Sequence, residues 1–336
     1  NSGDDITNAY ATGAVSGDTY VGGLVGYQKG NITNAYATGA VSGITFIGGL
    51  VGQQTGSITN SFWDVDTTGR ANAVGNLAGS ISGTIGLHTT EFQDTAGFMS
   101  QASGWDFENV WAPPSNGYYP ELYALSQVVW VQADDVSRIY GDENPALTTA
   151  GIYGGPDIYV FGPAGDVLSF SPTLSTAADT SSSVGSYAIT GSPNSATSAK
   201  GQNYRVVYSG DLTVTPAALR ITANDDTKAY NDLPYIGGNG VSYSGFVNGE
   251  SAGVLNGMLN YGGTAQGAVN PKNYTITPKG LVSANYTITF VDGILMLFSA
   301  PGMQTDVPGP IDEGLGQNIV CPDGNLLSCE LVEVKF

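Results

Sequence analysis

The stretch Ile6 to Gly17, Ile-Thr-Asn-Ala-Tyr-Ala-Thr-Gly-Ala-Val-Ser-Gly, recurs as Ile32 to Gly43 without a single change. Each copy is followed by Gly-Gly-Leu-Val-Gly, at Gly22 to Gly26 and at Gly48 to Gly52. A third copy opens at Ile58-Thr59-Asn60 and diverges at Ser61-Phe62-Trp63. A unit of 26 residues is too short to enclose a core of its own, so its apolar face has to be buried on its neighbours. The pattern predicts stacked coils of short strands about 4.8 Å apart. Ile6, Ile32 and Ile58 then form one internal column and Leu24 with Leu50 another, while glycine serves the tight corners. So short a stack is not stable with an open end, which leads us to expect more coils before Asn1.

Residues 61 to 123 change character. Phe62-Trp63-Asp64, Glu91-Phe92-Gln93-Asp94, Gly104-Trp105-Asp106-Phe107 and Gly117-Tyr118-Tyr119-Pro120 read as an aromatic cap closing the coils. Thr89 to Gln93 is expected to start a short helix from a threonine cap. A weaker duplication fills residues 124 to 298. Ala133-Asp134-Asp135-Val136-Ser137-Arg138-Ile139-Tyr140-Gly141-Asp142 parallels Ala223-Asn224-Asp225-Asp226-Thr227-Lys228-Ala229-Tyr230-Asn231-Asp232. Tyr204, Val206 and Tyr208 alternate as Tyr286, Ile288 and Phe290 do, which predicts strands with one buried face. The expected fold is all-β: a short parallel β-helix or solenoid (1–60), its cap (61–123), two small β-sandwich domains (124–217 and 218–298) and an extended, Pro- and Gly-rich tail (299–336).

Charge narrows the partners. With 10 basic and 29 acidic residues the net charge is −19, which opposes nucleic acid and anionic membrane alike. No apolar run reaches the roughly 18 residues that span a bilayer. The start at Asn1 does not look like a signal peptide, so an exported protein would be represented here by a fragment or processed product. The two cysteines, Cys321 and Cys329, stand eight positions apart in a chain otherwise free of thiols, which reads as one small disulfide loop in an exported protein. A zinc site would need two further ligands, and the sole histidine, His88, is remote in sequence.

The sequence shows no catalytic set. A Ser–His–Asp arrangement would have to use His88, which has no nucleophile motif in a supporting context. Carboxylate pairs for glycosidase chemistry are easily found among 29 acids and therefore carry little weight. The glycine-rich segments lack the Lys-Ser/Thr ending of a phosphate loop. Asp64-Val65-Asp66-Thr67-Thr68-Gly69 imitates the start of a calcium loop, but its twelfth position is Gly75 rather than Glu. Asp64 and Asp66, with the acidic positions Asp134, Asp135, Asp225 and Asp226 at the starts of the two later units, are the candidate calcium ligands, and solvated turn residues are the competing reading. Tyr10 and Tyr36, and Tyr20 and Phe46, recur once per coil, either stacking between coils or offering a ladder to sugar rings.

The coil motif resembles the GLUG repeat of large bacterial exoproteins, and Ser61-Phe62-Trp63-Asp64 with Gly104 to Trp111 resembles the segment that often follows it. The later units resemble MBG domains, through Tyr140-Gly141-Asp142 and the closing Gly210-Asp211-Leu212-Thr213-Val214-Thr215-Pro216; the second unit has Asn231 where glycine is expected. Together the order resembles filamentous haemagglutinin-like adhesins. That resemblance implies an extracellular stalk and surface anchor, secreted to the cell surface through an outer-membrane two-partner-secretion transporter. It also implies that a Cys321–Cys329 loop acts as a hook, too bulky to follow an extended chain through the pore. Extracellular polysaccharide or a host surface is the implied ligand. A polysaccharide-active enzyme or carbohydrate-binding module on a β-helix scaffold is the alternative.

Overall fold

In the computed structural model the described residues are 3–155, 158–160, 166–299, 317–320 and 330–333. They are all-β apart from short helical pieces, the longest being Thr95–Gln101. The chain divides into two compact units. The first comprises Asn1–Ile221, Tyr243–Met258 and Gly280–Thr289; the second comprises Thr222–Ser242, Leu259–Lys279 and Phe290–Phe336.

In the first unit the repeats pair in parallel and in register. Ile6 stands beside Ile32, Ile32 beside Ile58, and Ile58 beside Ile81. The expected isoleucine column therefore exists and ends on the exposed Ile81; the stacking continues beyond the third copy in a neighbouring rung as well, where Phe62–Asp64 pairs with Ile85–Leu87. The Gly-Gly-Leu-Val-Gly segments stack likewise, Val25 on Val51 on Val74. Ile32, Leu50, Val51 and Ile58 are fully buried, and Leu24 packs against them. Each buried aliphatic side chain of this kind contributes about 1.5–3 kcal/mol.

One position per coil, Asn8, Asn34 and Asn60, is in the left-handed conformation, with φ of 52°, 54° and 47°. Asparagine tolerates that region better than other side chains with a Cβ. The aromatic segment was expected to close the stack at its end. Its residues 74–87 do stack on the last coil, and residues 104–111 pack along this asparagine column. Trp111 Nε1 donates to Asn8 Oδ1 at 3.3 Å, the Asn34 amide donates to the Gly104 carbonyl at 3.4 Å, and Trp105 Nε1 donates to the Asn60 carbonyl at 2.9 Å. Tyr36, on the same face, is 1% exposed and sits among Phe92, Trp105, Trp111 and Tyr119. The reason is local: Tyr10 and Tyr36 stack at 5.2 Å and leave a broad apolar side to be covered.

The first unit also holds two four-stranded sheets from the first half of the later duplication. In one, Val128–Ala133 pairs in parallel with Asn203–Ser209; in the other, Val136–Ile139 pairs in parallel with Asp211–Thr215. The chain changes sheet at Asp134-Asp135 on the way in and at Gly210 on the way out. The same plan appears in the second unit, where Asp226–Ala229 pairs in parallel with Gly293–Phe298, itself antiparallel to Lys272–Ile276. The core of that unit includes Tyr235, Ile276, Leu295 and Leu297.

Candidate functional site

Three clusters of side chains hold elements together, and two of them include residues that the sequence singles out. At the first, Asp64 ends the strand Phe62–Asp64 and caps the helical turn Val65–Thr68. Its side chain is fully buried and all its bonding capacity is directed at the chain: Oδ1 accepts from the amides of Asp66 at 2.8 Å and Thr67 at 3.0 Å. Oδ2 accepts from the hydroxyls of Thr89 at 2.7 Å and Tyr119 at 2.6 Å. One carboxylate thus ties a coil to two parts of the aromatic segment. Burial, followed by the Asp64 bond, raises the Tyr119 pKa.

The helix Thr89–Phe92 forms as expected, but His88 occupies the cap position, not a threonine. Thr89 cannot serve, because its hydroxyl is bonded to Asp64. The His88 amide donates to Glu91 Oε2 at 2.7 Å, and its ring Nδ1 lies 2.8 Å from Asp66 Oδ1. Asp66 also accepts from the Thr89 amide at 3.0 Å. That backbone bond and the His88 partner lower the Asp66 pKa, and the bond to Asp66 raises that of His88. The lone histidine is thereby held by an exposed aspartate.

The acidic pairs of the duplication accept hydrogen bonds from other segments of the chain. Asp135 Oδ1 accepts from the Asp211 amide at 2.8 Å, and its counterpart Asp225 Oδ1 accepts from the Ile294 amide at 2.7 Å. Asp134 Oδ2 accepts from the Thr148 hydroxyl at 2.6 Å and Asp226 Oδ2 from the Tyr235 hydroxyl at 2.8 Å. The six candidate calcium ligands thus form three pairs, Asp64 with Asp66, Asp134 with Asp135 and Asp225 with Asp226, and each residue accepts from donors of the chain. Among the described residues no group of three or more His, Cys, Asp or Glu side chains is placed to hold a metal ion.

The second cluster was not legible in the sequence. Tyr140, from the first half of the duplication, donates to Glu250 Oε1 at 2.7 Å, and Tyr286, from the second half, donates to Glu250 Oε2. The tyrosine rings meet edge to face at 5.6 Å, and Phe246 meets Tyr286 in the same way at 5.5 Å. A Cβ on Gly141 would lie 2.4 Å from the Val247 side chain, so the glycine after Tyr140 is what admits this approach. The Asn248 amide donates to the Thr180 carbonyl at 3.0 Å, and the Val184 amide to Asn285 Oδ1 at 3.0 Å.

The third cluster is the ring ladder on the coils. Tyr20 and Phe46 stack at 5.3 Å with an interplanar angle of 11°, at φ of 58° and 55°, and remain 42% and 37% exposed. Tyr10 and Tyr36 thus stack within the covered face, whereas Tyr20 and Phe46 stack on each other at the exposed surface.

Cys321 and Cys329 lie outside the described residues. The strands beside them, Gln317–Val320 and Glu330–Glu333, pair antiparallel with Val320 opposite Glu330. Among the described residues no helix is long and apolar enough to cross a membrane. No curated protein matches the chain. The family model described as the MBG domain (YGX type) matches residues 129–213 and 219–296, and the one described as the GLUG motif matches residues 17–42. The duplicated strand plan and the exact coil repeat are thus matched by family models of their own: the chain carries a GLUG motif followed by two stretches of MBG type.

Proposed function

We propose that this chain is a stalk and surface anchor of an extracellular bacterial adhesin, a β-solenoid continued by β-sandwich spacers that carry an attachment region away from the cell. The observation that carries the reading is the clasp of Tyr140 and Tyr286 on Glu250, which joins consecutive members of the duplication through side chains as well as through the chain. Spacers connected only by a flexible linker would transmit little direction. The in-register coils support the same reading, since each backbone rung there bonds to the next. In this reading the work is mechanical and the chain performs no catalysis; the one histidine stabilises a helix start.

The tail retains the assembly at an outer-membrane two-partner-secretion pore, facing the outside of the cell. Cys321 and Cys329 stand eight positions apart in a chain with no other thiol, which supports a closed Cys321–Cys329 loop. The test is to produce the protein with and without Cys321→Ser and to compare intact mass before and after reduction and alkylation, on cell-surface and medium fractions. A closed loop, together with release of the variant into the medium, is expected. Free thiols, or equal retention of the variant, would remove the anchoring role.

A further inference from the structure

Within the first unit, the turn Ser115 to Tyr118 faces the strands Gly185–Ser192 and Asn203–Ser209 across a cleft of about 660 Å³. That is the size of small-ligand clefts, which run from about 300 to 1,000 Å³. One wall is Tyr118, whose ring is 50% exposed. The turn beneath it is closed by two backbone bonds, from the Ser115 amide to the Tyr118 carbonyl at 3.2 Å and from the Tyr118 amide to the Ser115 carbonyl at 2.7 Å. The Arg205 guanidinium lies 4.1 Å from the ring centroid. It is itself fixed, since it donates to Ser115 Oγ at 2.7 Å and to the Glu121 carboxylate. Tyr118 is therefore a rigid ring backed by a guanidinium on one side and open on the other.

Tyr208 also lines the cleft, standing with Tyr204 and Val206 on the strand face opposite Arg205, and its ring crosses Gly191 so closely that a Cβ there would lie 2.4 Å from it. Its hydroxyl donates to the Pro193 carbonyl at 2.9 Å. Asn116, Thr190 and Asn194 border the same cleft. Among the described residues, the side-chain amides of Asn116 and Asn194 make no hydrogen bond. An amide of this kind both donates and accepts.

We propose that this cleft binds a neutral oligosaccharide. A pyranose ring presents a patch of C–H bonds on one face and hydroxyl pairs around its rim; an open tyrosine face suits the first and planar amides suit the second. Neutral sugars are favoured over acidic ones because Glu121 already neutralises Arg205, and a chain of net charge −19 repels polyanions. A single cleft of this kind binds weakly, and many copies on one surface facing a polymer bind by avidity. The cleft does not depend on the stalk reading, since a spacer without it still spaces.

The test is isothermal titration of the full chain with four neutral oligosaccharides (cellohexaose, laminarihexaose, mannohexaose and chitohexaose) and with polygalacturonate as the acidic control. At least one neutral sugar is expected to bind, with Tyr118→Ala weakening it about tenfold or more and Tyr118→Phe leaving it within about threefold, because stacking does not need the hydroxyl. Asn194→Ala weakens it as well. Both residues are exposed, so unchanged melting curves for the variants separate loss of binding from loss of fold. Absence of neutral-sugar binding, binding unaffected by Tyr118→Ala, or preference for polygalacturonate would each overturn the proposal. None of these results bears on retention through the cysteine loop, which is read in the fractionation experiment.

Discussion

Tyr140 and Tyr286, which belong to successive members of the duplication, terminate on the two oxygens of one carboxylate, that of Glu250. Both rings are almost wholly buried, so neither hydroxyl has water as a substitute partner. Removing the acceptor therefore strands two donors, which is more damaging than removing either donor. The counterpart of Tyr140 in the second unit, Tyr230, turns to its own neighbour Asp232, so the reach to a distant carboxylate is a property of the first copy.

Glu250→Ala should lower stability by about 3 kcal/mol, and Tyr140→Phe or Tyr286→Phe by about 1–2 kcal/mol each, with a double-mutant cycle showing coupling of Tyr140 to Glu250. Urea unfolding measures this. Additive single effects would mean that the carboxylate is not shared.

The same clasp gives the protein an alkaline limit. Burial, then the Glu250 bond, pushes the Tyr286 pKa from 10.0 up to about 12. The Glu250 bond, then burial, raises that of Tyr140. A group whose folded pKa is raised contributes stability that is fully present below its unfolded value and lost as the pH rises through the folded one. Stability should therefore fall between pH 10 and about 12, and Tyr286→Phe should flatten that fall. Thermal melts across this window, followed alongside tyrosinate absorbance, check it.

His88 and Asp66 make a second, milder titration. The His88 contribution is fully present below pH 6.5 and fades as the pH rises through its higher folded value. That of Asp66, whose folded pKa is lowered, is present above pH 3.8 and fades as the pH falls through the folded value. Nuclear magnetic resonance of the single imidazole should give a pKa above 6.5 that returns towards it in Asp66→Asn. An unshifted His88 in the parent chain would contradict the contact.

How far the sequence reveals all this depends on the range of the interaction. An exact repeat places Ile6, Ile32 and Ile58 in one column with no further information, and the alternation of Tyr204, Val206 and Tyr208 shows which strand face is inward. The pairing of Val128–Ala133 with Asn203–Ser209 is not visible in that way, because the partners are far apart and local alternation does not choose a partner. Tyr20 and Phe46 occupy a left-handed backbone position where glycine or asparagine is expected, so their strained setting was also hidden. The acids were legible as corners of the fold. That Asp135 and Asp225 accept from the amides of Asp211 and Ile294 shows only in the structure, because those partners are remote in sequence.

Asp64 is the single side chain whose loss should most damage the join between coils and aromatic segment. Asp64→Ala leaves two backbone amides and two hydroxyls without their acceptor in a buried place, and should lower stability by about 3–5 kcal/mol. Asp64→Asn keeps the shape but presents an amide donor to hydroxyls that need an acceptor, and should lie between the two. Urea unfolding with tryptophan fluorescence reads it, since Trp105 and Trp111 lie in the covered face. The loss in Asp64→Ala should be the same with calcium and with a chelator, because both Asp64 oxygens are already engaged by the chain.

The exact repeat supplies its own control for the stacking of the coils. Gly13 and Gly39 are the same residue of the motif in consecutive copies, and neither needs a left-handed backbone. A Cβ on Gly13 meets nothing within 4 Å, whereas one on Gly39 would lie 1.9 Å from the Gly13 carbonyl oxygen. The obstacle is backbone, so no side-chain rotation relieves it. In the 336-residue chain, Gly39→Ala should therefore destabilise by about 2 kcal/mol or more, while Gly13→Ala should be neutral within about 0.5 kcal/mol, a difference that further coils before Asn1 would remove. Melting curves of the two variants distinguish coil-to-coil contact from any intrinsic preference of the motif for glycine, because only the contact differs between them. Equal effects would mean that the coils are not stacked in this register.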